Sequence, residues 1–252
     1  MGETVMSDDA PVKKHRSIIV RIFKFCFYAV LIFIVFSVGE VVALKYVNPI
    51  GTPLMAGRWV LGKIGMDSIR ADEINYQWMP LSEISPNLQR AVISSEDRKF
   101  FIHHGFDWHS IENNWDKLQE GETKVKGSST ISMQTARNVF LWQGRSWVRK
   151  GLEAYYTVLI EFFWGKKRIL EMYLNVIEMG NGIYGAEAAS EEYFHHPAKF
   201  LAPPEAAILT AIFPNPRRWS PVKPSPYVRR RQAIILHTMM NTALPRRLLA
   251  TK

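Results

Sequence analysis

The chain has 252 residues, 47% of them hydrophobic, which suits one domain with an appendage and fills a sizeable core. Its formal net charge of +9 points towards nucleic acid, an anionic membrane surface or a phosphorylated substrate. A single cysteine, Cys26, excludes an internal disulfide, so the fold must rest on its core.

Residues 1–24 carry Lys13, Lys14, Arg16, Arg21 and Lys24 and read as a short cytoplasmic tail. Between Lys24 and Lys45 stand the twenty residues FCFYAVLIFIVFSVGEVVAL, whose only charge is Glu40. A helix needs about twenty apolar residues to cross the hydrocarbon core, so residues 25–45 read as one transmembrane helix. The preceding cations hold the tail inside, which leaves residues 46–252 outside. A cleaved signal peptide is the rival reading, but its apolar region spans about 7 to 15 residues and ends at small residues, and no A-x-A site follows here. Glu40 lies near the outer end, from where its carboxylate can reach the interface. Cys26 reads as a lipid-facing or packing residue.

The outer segment has no internal repeat and is mainly helical in pattern. INYQWM at Ile74 to Met79 is the only stretch that alternates like a strand. AVISSEDRKFFIHHG at Ala91 to Gly105 then sets Glu96 and Asp97 in a charged, aromatic run. An acidic pair beside an arginine is ordinarily solvated surface. Here Phe100, Phe101, His103, His104, Phe106 and Trp108 supply bulk that would desolvate a carboxylate and raise its pKa towards that of a base. The histidines lack a partner at ligand spacing and read as hydrogen-bonded structural residues. Asp107 would cap a helix on which Trp108, Ile111, Trp115 and Leu118 share a face.

Gly127-Ser128-Ser129-Thr130 precedes ISMQTARNVF and reads as a helix N-cap; the same hydroxyls and helix N-terminus also suit a phosphate or a sugar hydroxyl. Gln134, Arg137 and Asn138 follow about a turn apart along one side. FLWQGRSWVR, Phe140 to Arg149, either lies at lipid headgroups or is a core-packed loop. Arg149 and Glu153 share a helix face at i, i+4 and would form a surface ion pair contributing a few tenths of a kcal/mol, or about that. With Lys150, Arg137 and Arg145, the same cations could instead converge on a diphosphate. Leu152, Tyr156, Leu159 and Phe163 form the face of a helix ended by Gly165, and Ile169, Leu170, Tyr173, Leu174 and Ile177 that of the next. Pro203 and Pro204 open a helix at EAAILTAIF, and another follows Pro226. The expected fold class is mainly α.

These segments, in this order, carry a resemblance. PLSEISPNLQRAVISSEDRKFF, GSSTISMQ, RSWVRKGLEAYYTVLIEFFWGKKRILEMYLNVIEMGNGIYGAEAASEEYF and EAAILTAIFPNP cover most of residues 80–216. Together they resemble the family 51 glycosyltransferases, and among them the monofunctional biosynthetic peptidoglycan transglycosylases of bacterial inner membranes. The resemblance implies a lysozyme-like glycosyltransferase domain with a membrane-proximal jaw, periplasmic behind a cytoplasmic N-terminus. It implies an enzyme that polymerises lipid II, with inversion, into β-1,4-linked glycan on undecaprenyl pyrophosphate. It makes Glu96 the general base and Glu153 the second important glutamate. Arg137, Arg149 and Lys150 would contact the lipid diphosphate, while Asp97, Phe100, Ser129, Thr130, Gln134 and Asn138 would complete the substrate site. It also implies a divalent cation, Mg2+ or Mn2+, and no organic cofactor. The partners would be lipid II, the growing glycan, the membrane and division or elongation proteins, with no nucleic acid. Two positions depart from the pattern: Met133 stands where the family often has a glutamine, and Arg137 where lysine is common.

The chemistry agrees with that inventory. A sugar hydroxyl that attacks needs a base, whereas a pyrophosphate leaving group needs its charge neutralised more than it needs a proton. A glycoside hydrolase would want a strong general acid as well. Glu153 is therefore expected to position the cations or a metal electrostatically rather than to act as an obligatory acid. The competing readings are a membrane-anchored muramidase and a non-catalytic cell-wall scaffold. Ser220-Pro-Val-Lys223 satisfies S-x-x-K only on paper, since prolines crowd it and no K-T-G or S-D-N follows.

Overall fold

The computed structural model describes residues 12–66, 74–120, 128–144 and 146–249, and of these the side chains of 12–17, Leu118, Arg247 and Leu249 are left aside. Gly127, Arg145 and the start of the tail thus lie outside the described residues. The chain divides into two units, Met1–Tyr46 and Val47–Lys252.

The first unit is one continuous helix, α1 (Val12–Tyr46). Its stretch Ile18–Tyr46 contains an apolar window of mean hydropathy 2.5 and is long and apolar enough to cross a membrane. The helix does not begin at residue 25 but runs back through Lys24 and Arg21, because lysine and arginine are good helix formers and no breaker intervenes.

The second unit is mainly helical, as its patterning led one to expect. It opens with α2 (Pro53–Lys63), a helix the sequence reading did not single out. Proline at its first position and Thr52, whose Oγ1 accepts from the Met55 amide at 3.3 Å, start it in the usual way. The strand expected over Ile74–Met79 shrinks to β1 (Asn75–Tyr76). It pairs in parallel with β3 (Ile183–Tyr184), which pairs antiparallel with β2 (Glu178–Gly180), giving the order β1-β3-β2.

The core is built on α3 (Pro86–Glu96), α5 (Ile131–Phe140), α7 (Lys166–Val176) and α9 (Pro203–Ala211). Ile169, Leu170, Tyr173 and Leu174 of α7 are buried as expected, and α10 (Pro226–Met240) covers α3 and α9. Each aliphatic side chain so buried contributes about 1.5–3 kcal/mol. Asn175 fastens α7 to the chain entering α3: its side chain accepts from the Met79 amide at 2.7 Å and donates to the Met79 carbonyl at 2.8 Å. Gly185 closes the turn from β3 into α8 (Ala186–Phe194) at φ 85°, where a Cβ would come within 2.5 Å of the Asn175 carbonyl oxygen.

Three helical expectations change in detail. On α6 (Trp147–Phe163) the buried stripe is Glu153, Tyr156, Thr157 and Ile160, so Leu152, Leu159 and Phe163 do not share the buried face. That helix stops at Trp164, and Gly165, at φ −80°, is the N-cap of α7 rather than a left-handed end. α4 (Trp108–Gln119) is capped by Asp107, which accepts from the Ser110 amide and hydroxyl, but Trp108 and Trp115 on its expected inner face are 70% and 63% exposed.

Candidate active site

The site begins where α3 ends. Glu96 closes that helix, and the chain turns at Asp97, whose side chain is only 3% exposed. The Asp97 carboxylate accepts from the Ile131 amide at 3.0 Å, one of the orphan donors at the start of α5, and from His103 Nε2 at 2.9 Å. His103 Nδ1 accepts from the Gly105 amide at 3.1 Å, which assigns the ring proton to Nε2. The Gly105 carbonyl in turn accepts from Thr130 Oγ1 at 2.6 Å, and that hydroxyl caps α5 by accepting from the Met133 amide at 3.1 Å. Gly105 has φ 91°, and a Cβ there would meet Thr157 Cγ2 at 2.9 Å, so only glycine fits the knot.

This geometry sorts the expected site residues. Asp97 and Thr130 spend their polar atoms on the protein, and Phe100 is fully buried with the Lys166 ammonium 4.7 Å over its ring. Phe100 thus supports the site from the interior, whereas Asp97 and Thr130, though buried and bonded within the protein, lie at the wall of the cleft of about 650 Å³ that also holds Glu96. His103 is hydrogen-bonded inside the knot, as expected, whereas His104 is exposed. The aromatic run does not enclose Glu96: Phe100 faces the core, Trp108 faces solvent, and the carboxylate buried by this segment is that of Asp97.

Glu96 is half-buried and held by neutral donors. Its Oε2 accepts from Gln134 Nε2 at 3.1 Å and its Oε1 from Ser95 Oγ at 3.3 Å. Gln134 Oε1 accepts from the Tyr173 hydroxyl at 3.3 Å. Tyr173 is fully buried; burial first, and the Glu96 charge second, hold its phenol well above the ordinary range, so it remains a donor. The donor fixes which way the Gln134 amide points and turns its NH2 to Glu96. The carboxylate opens on two clefts. One, of about 350 Å³, is shared with Ser129, Gln134, Arg231 and Ile234, and the other, of about 650 Å³, with Ser129, Lys99 and the polar residues Asn113 and Asn114 of α4.

The cations stand on the other side of Gln134. Ser146 caps α6 by accepting from the Arg149 amide at 3.1 Å, and one turn later Glu153 is 1% exposed between Lys150 Nζ at 2.5 Å and Arg149 Nη1 at 3.4 Å. The surface ion pair is thereby replaced by a buried carboxylate that depends on its two cations. Arg149, Arg137, Asn138 and Gln134 line a cleft of about 360 Å³. Two donors on that cleft, Arg149 Nε and Gln143 Nε2, are buried and find no acceptor among the described residues. Gln134 borders both this cleft and the one at Glu96.

Sequence reasoning missed Arg58 of α2 and Glu178 of β2, which line the same cleft and pair at 3.4 Å. Burial pushes the Glu178 carboxyl up, against the pull of Arg58 and Arg217. Neither residue sits in a local pattern that marks it; only the tertiary fold brings them together. The segment from Phe140 to Arg149 divides between its two readings: Phe140 and Leu141 are buried, while Trp142 and Trp147 are exposed. Met133 is buried, so its departure from the family pattern puts an apolar side chain in an apolar place. Among the described residues no group of three or more His, Cys, Asp or Glu side chains could hold a metal ion.

Residues 64–240 match the family described as transglycosylase. The chain belongs to the transglycosylase family. A biosynthetic peptidoglycan transglycosylase of Bdellovibrio bacteriovorus is 50% identical over 209 residues, covering 83% of this chain and 82% of that protein. One from Xanthomonas campestris pv. campestris is 49% identical over 211 residues, with 82% and 83% covered, and one from Rhodospirillum centenum 48% over 202 residues, with 80% and 84% covered. The matched family span contains Glu96, Gln134, Arg137, Arg149, Lys150 and Glu153, so both clefts of this transglycosylase are built chiefly from family sequence; Arg58 precedes the span.

Proposed function

We propose that this peptidoglycan transglycosylase polymerises lipid II into β-1,4-linked glycan by inverting glycosyl transfer, releasing undecaprenyl pyrophosphate. The observation that carries the reading is the division at Gln134: a half-exposed carboxylate on one side and a cationic cleft on the other. The lipid diphosphate of the donor lies among Arg137, Arg149 and Lys150, where charge-assisted hydrogen bonds are strongest. The acceptor sugar lies at Glu96, between Ser129 and Gln134. Glu96 takes the proton of the acceptor 4-hydroxyl as that oxygen attacks the donor anomeric carbon from the face opposite the diphosphate. The bond from the anomeric carbon to the phosphate oxygen breaks, and its electron pair leaves with the pyrophosphate, whose charge the arginines offset.

Glu153 serves this scheme by holding Arg149 and Lys150 in place. Its burial between them is also what favours transfer over hydrolysis of glycan, because a muramidase would need a second carboxyl free to act as an acid. A divalent ion, Mg2+ or Mn2+, would arrive with the diphosphate, held by phosphate oxygens and water as magnesium commonly is, since the described side chains do not form a cage for it. We further propose that residues 1–24 are cytoplasmic, that 25–45 span the inner membrane and that 46–252 work in the periplasm, which the cations preceding the apolar stretch support.

The test is incubation of the detergent-solubilised chain with labelled lipid II and Mg2+, followed by gel separation and muramidase digestion. A ladder that muramidase removes is expected. No ladder, together with shortening of preformed glycan, would move the assignment to the hydrolase.

A further inference from the structure

The cationic cleft holds more charge than the residues assigned to it above. Its charged lining consists of Arg58, Arg137, Arg149 and Glu178, three arginines against one glutamate. The resulting excess of two positive charges sits in about 360 Å³, with the Arg58 and Arg149 side chains 13% and 11% exposed. Glu178 and Glu153 pair with Arg58 and Arg149 at 3.4 Å each, and the lining of the cleft still carries more positive than negative charge, which a bound anion would offset. A sugar–lipid diphosphate diester carries one negative charge on each phosphate and would balance the excess.

Arg58 is also held in a set orientation. Glu178 grips its Nη2 at 3.4 Å and is itself approached by Arg217 Nε at 3.9 Å, while α2 is fixed by the Thr52 cap and the buried Met55. A guanidinium oriented by a carboxylate loses little further freedom on meeting a phosphate, and its planar fork suits phosphate oxygens. Arg58 comes from α2, Arg137 from α5 and Arg149 from α6, so three separate elements bring an arginine to the one cleft.

We infer that Arg58 is a fourth diphosphate-binding cation, beside Arg137, Arg149 and Lys150, and that Glu178 orients it. The inference rests on the proposed lipid II polymerase reading and adds to it a residue outside the matched family span. Glu178 is then a positioning residue, acting through Arg58 and not on the substrate.

The test measures binding of labelled lipid II and the KM and kcat of polymerisation for the full chain, Arg58→Met, Arg58→Lys and the double variant Arg58→Met/Glu178→Gln. Binding is measured in a Glu96→Gln background so that no turnover intervenes. Loss of one charge-assisted contact corresponds to about 10- to 100-fold weaker binding. Arg58→Met is expected to raise Kd and KM by that factor with kcat changed less than about threefold, and Arg58→Lys is expected to fall between. The double variant removes the buried Glu178 charge that Arg58→Met would leave to Arg217 alone, and so separates folding from binding. If it retains the weak binding with a thermal melt like that of the unmutated chain, Arg58 contacts the substrate. If it restores full affinity, Arg58 serves only to neutralise Glu178 and the inference is overturned. If the unmutated chain itself neither binds nor polymerises lipid II, the failure belongs to the proposed function instead.

Discussion

Glu96 and Glu153, the two glutamates of the candidate site, are held in opposite ways. Glu96 ends a helix, stays partly exposed and, among the described residues, receives its hydrogen bonds from the neutral side chains of Gln134 and Ser95. Glu153 lies inside a helix, is 1% exposed and is gripped by Lys150 and Arg149. A carboxylate that must take a proton from a substrate needs access and must not be neutralised by a fixed cation. One that must aim cations at a diphosphate needs burial and close contact. The contrast teaches that the same residue type acquires its role from what surrounds it, and that two glutamates in a sequence motif need not be an acid–base pair.

That contrast can be broken or sharpened by substitution. The largest effect is expected from Glu96→Gln, which should lower the polymerisation rate by about 10²–10⁴-fold with a nearly unchanged melt, since the side chain is half-exposed and keeps its size. A polymerisation rate within tenfold of the unmutated chain would remove Glu96 from the base role. Glu153→Gln leaves Arg149 and Lys150 facing each other without their anion; breaking such a buried arrangement costs about 3–5 kcal/mol, so the melt should fall together with donor affinity. Unaltered stability would mean that the pair is looser than its geometry. Tyr173→Phe keeps the packing but removes the donor that orients Gln134, an effect of about 1 kcal/mol or a fivefold to tenfold loss in kcat, read against an unchanged KM for the donor. An equal loss from Gln134→Ala and from the double variant would establish that the two act in series. The smallest effect is expected for Met133→Gln. Because Met133 is buried, an added amide should cost about 1–2 kcal/mol of stability without any gain in rate.

These residues also mark how far the sequence could be read. α7 was legible because apolar residues recur along it and nearly all of them are buried. α6 was legible as a helix but not in its orientation. It is apolar on more than one side, with Val158 and Phe162 exposed, so periodicity alone could not separate the core face from the other. The strands of two or three residues are too short to alternate, and β2 and β3 sit in a glycine-containing stretch without a β signal. In the site, Glu96, Gln134, Arg137, Arg149, Lys150 and Glu153 were found through motifs. Their resemblance to family segments could not distinguish a residue at the cleft wall from one behind it, which is why the fully buried Phe100 was grouped with the substrate contacts. Arg58 and Glu178 left no local trace, because the pair joins positions 120 residues apart.

The most direct measurement is a side-by-side record of lipid II polymerisation and thermal melting for Glu96→Gln and Glu153→Gln, both made in the full chain. Glu96→Gln should lose polymerisation while keeping the melt, and Glu153→Gln should lose several degrees of melting temperature along with its activity. The reverse pattern, an active Glu96→Gln or a Glu153→Gln that is fully stable yet catalytically silent, would contradict the division of labour between the two glutamates.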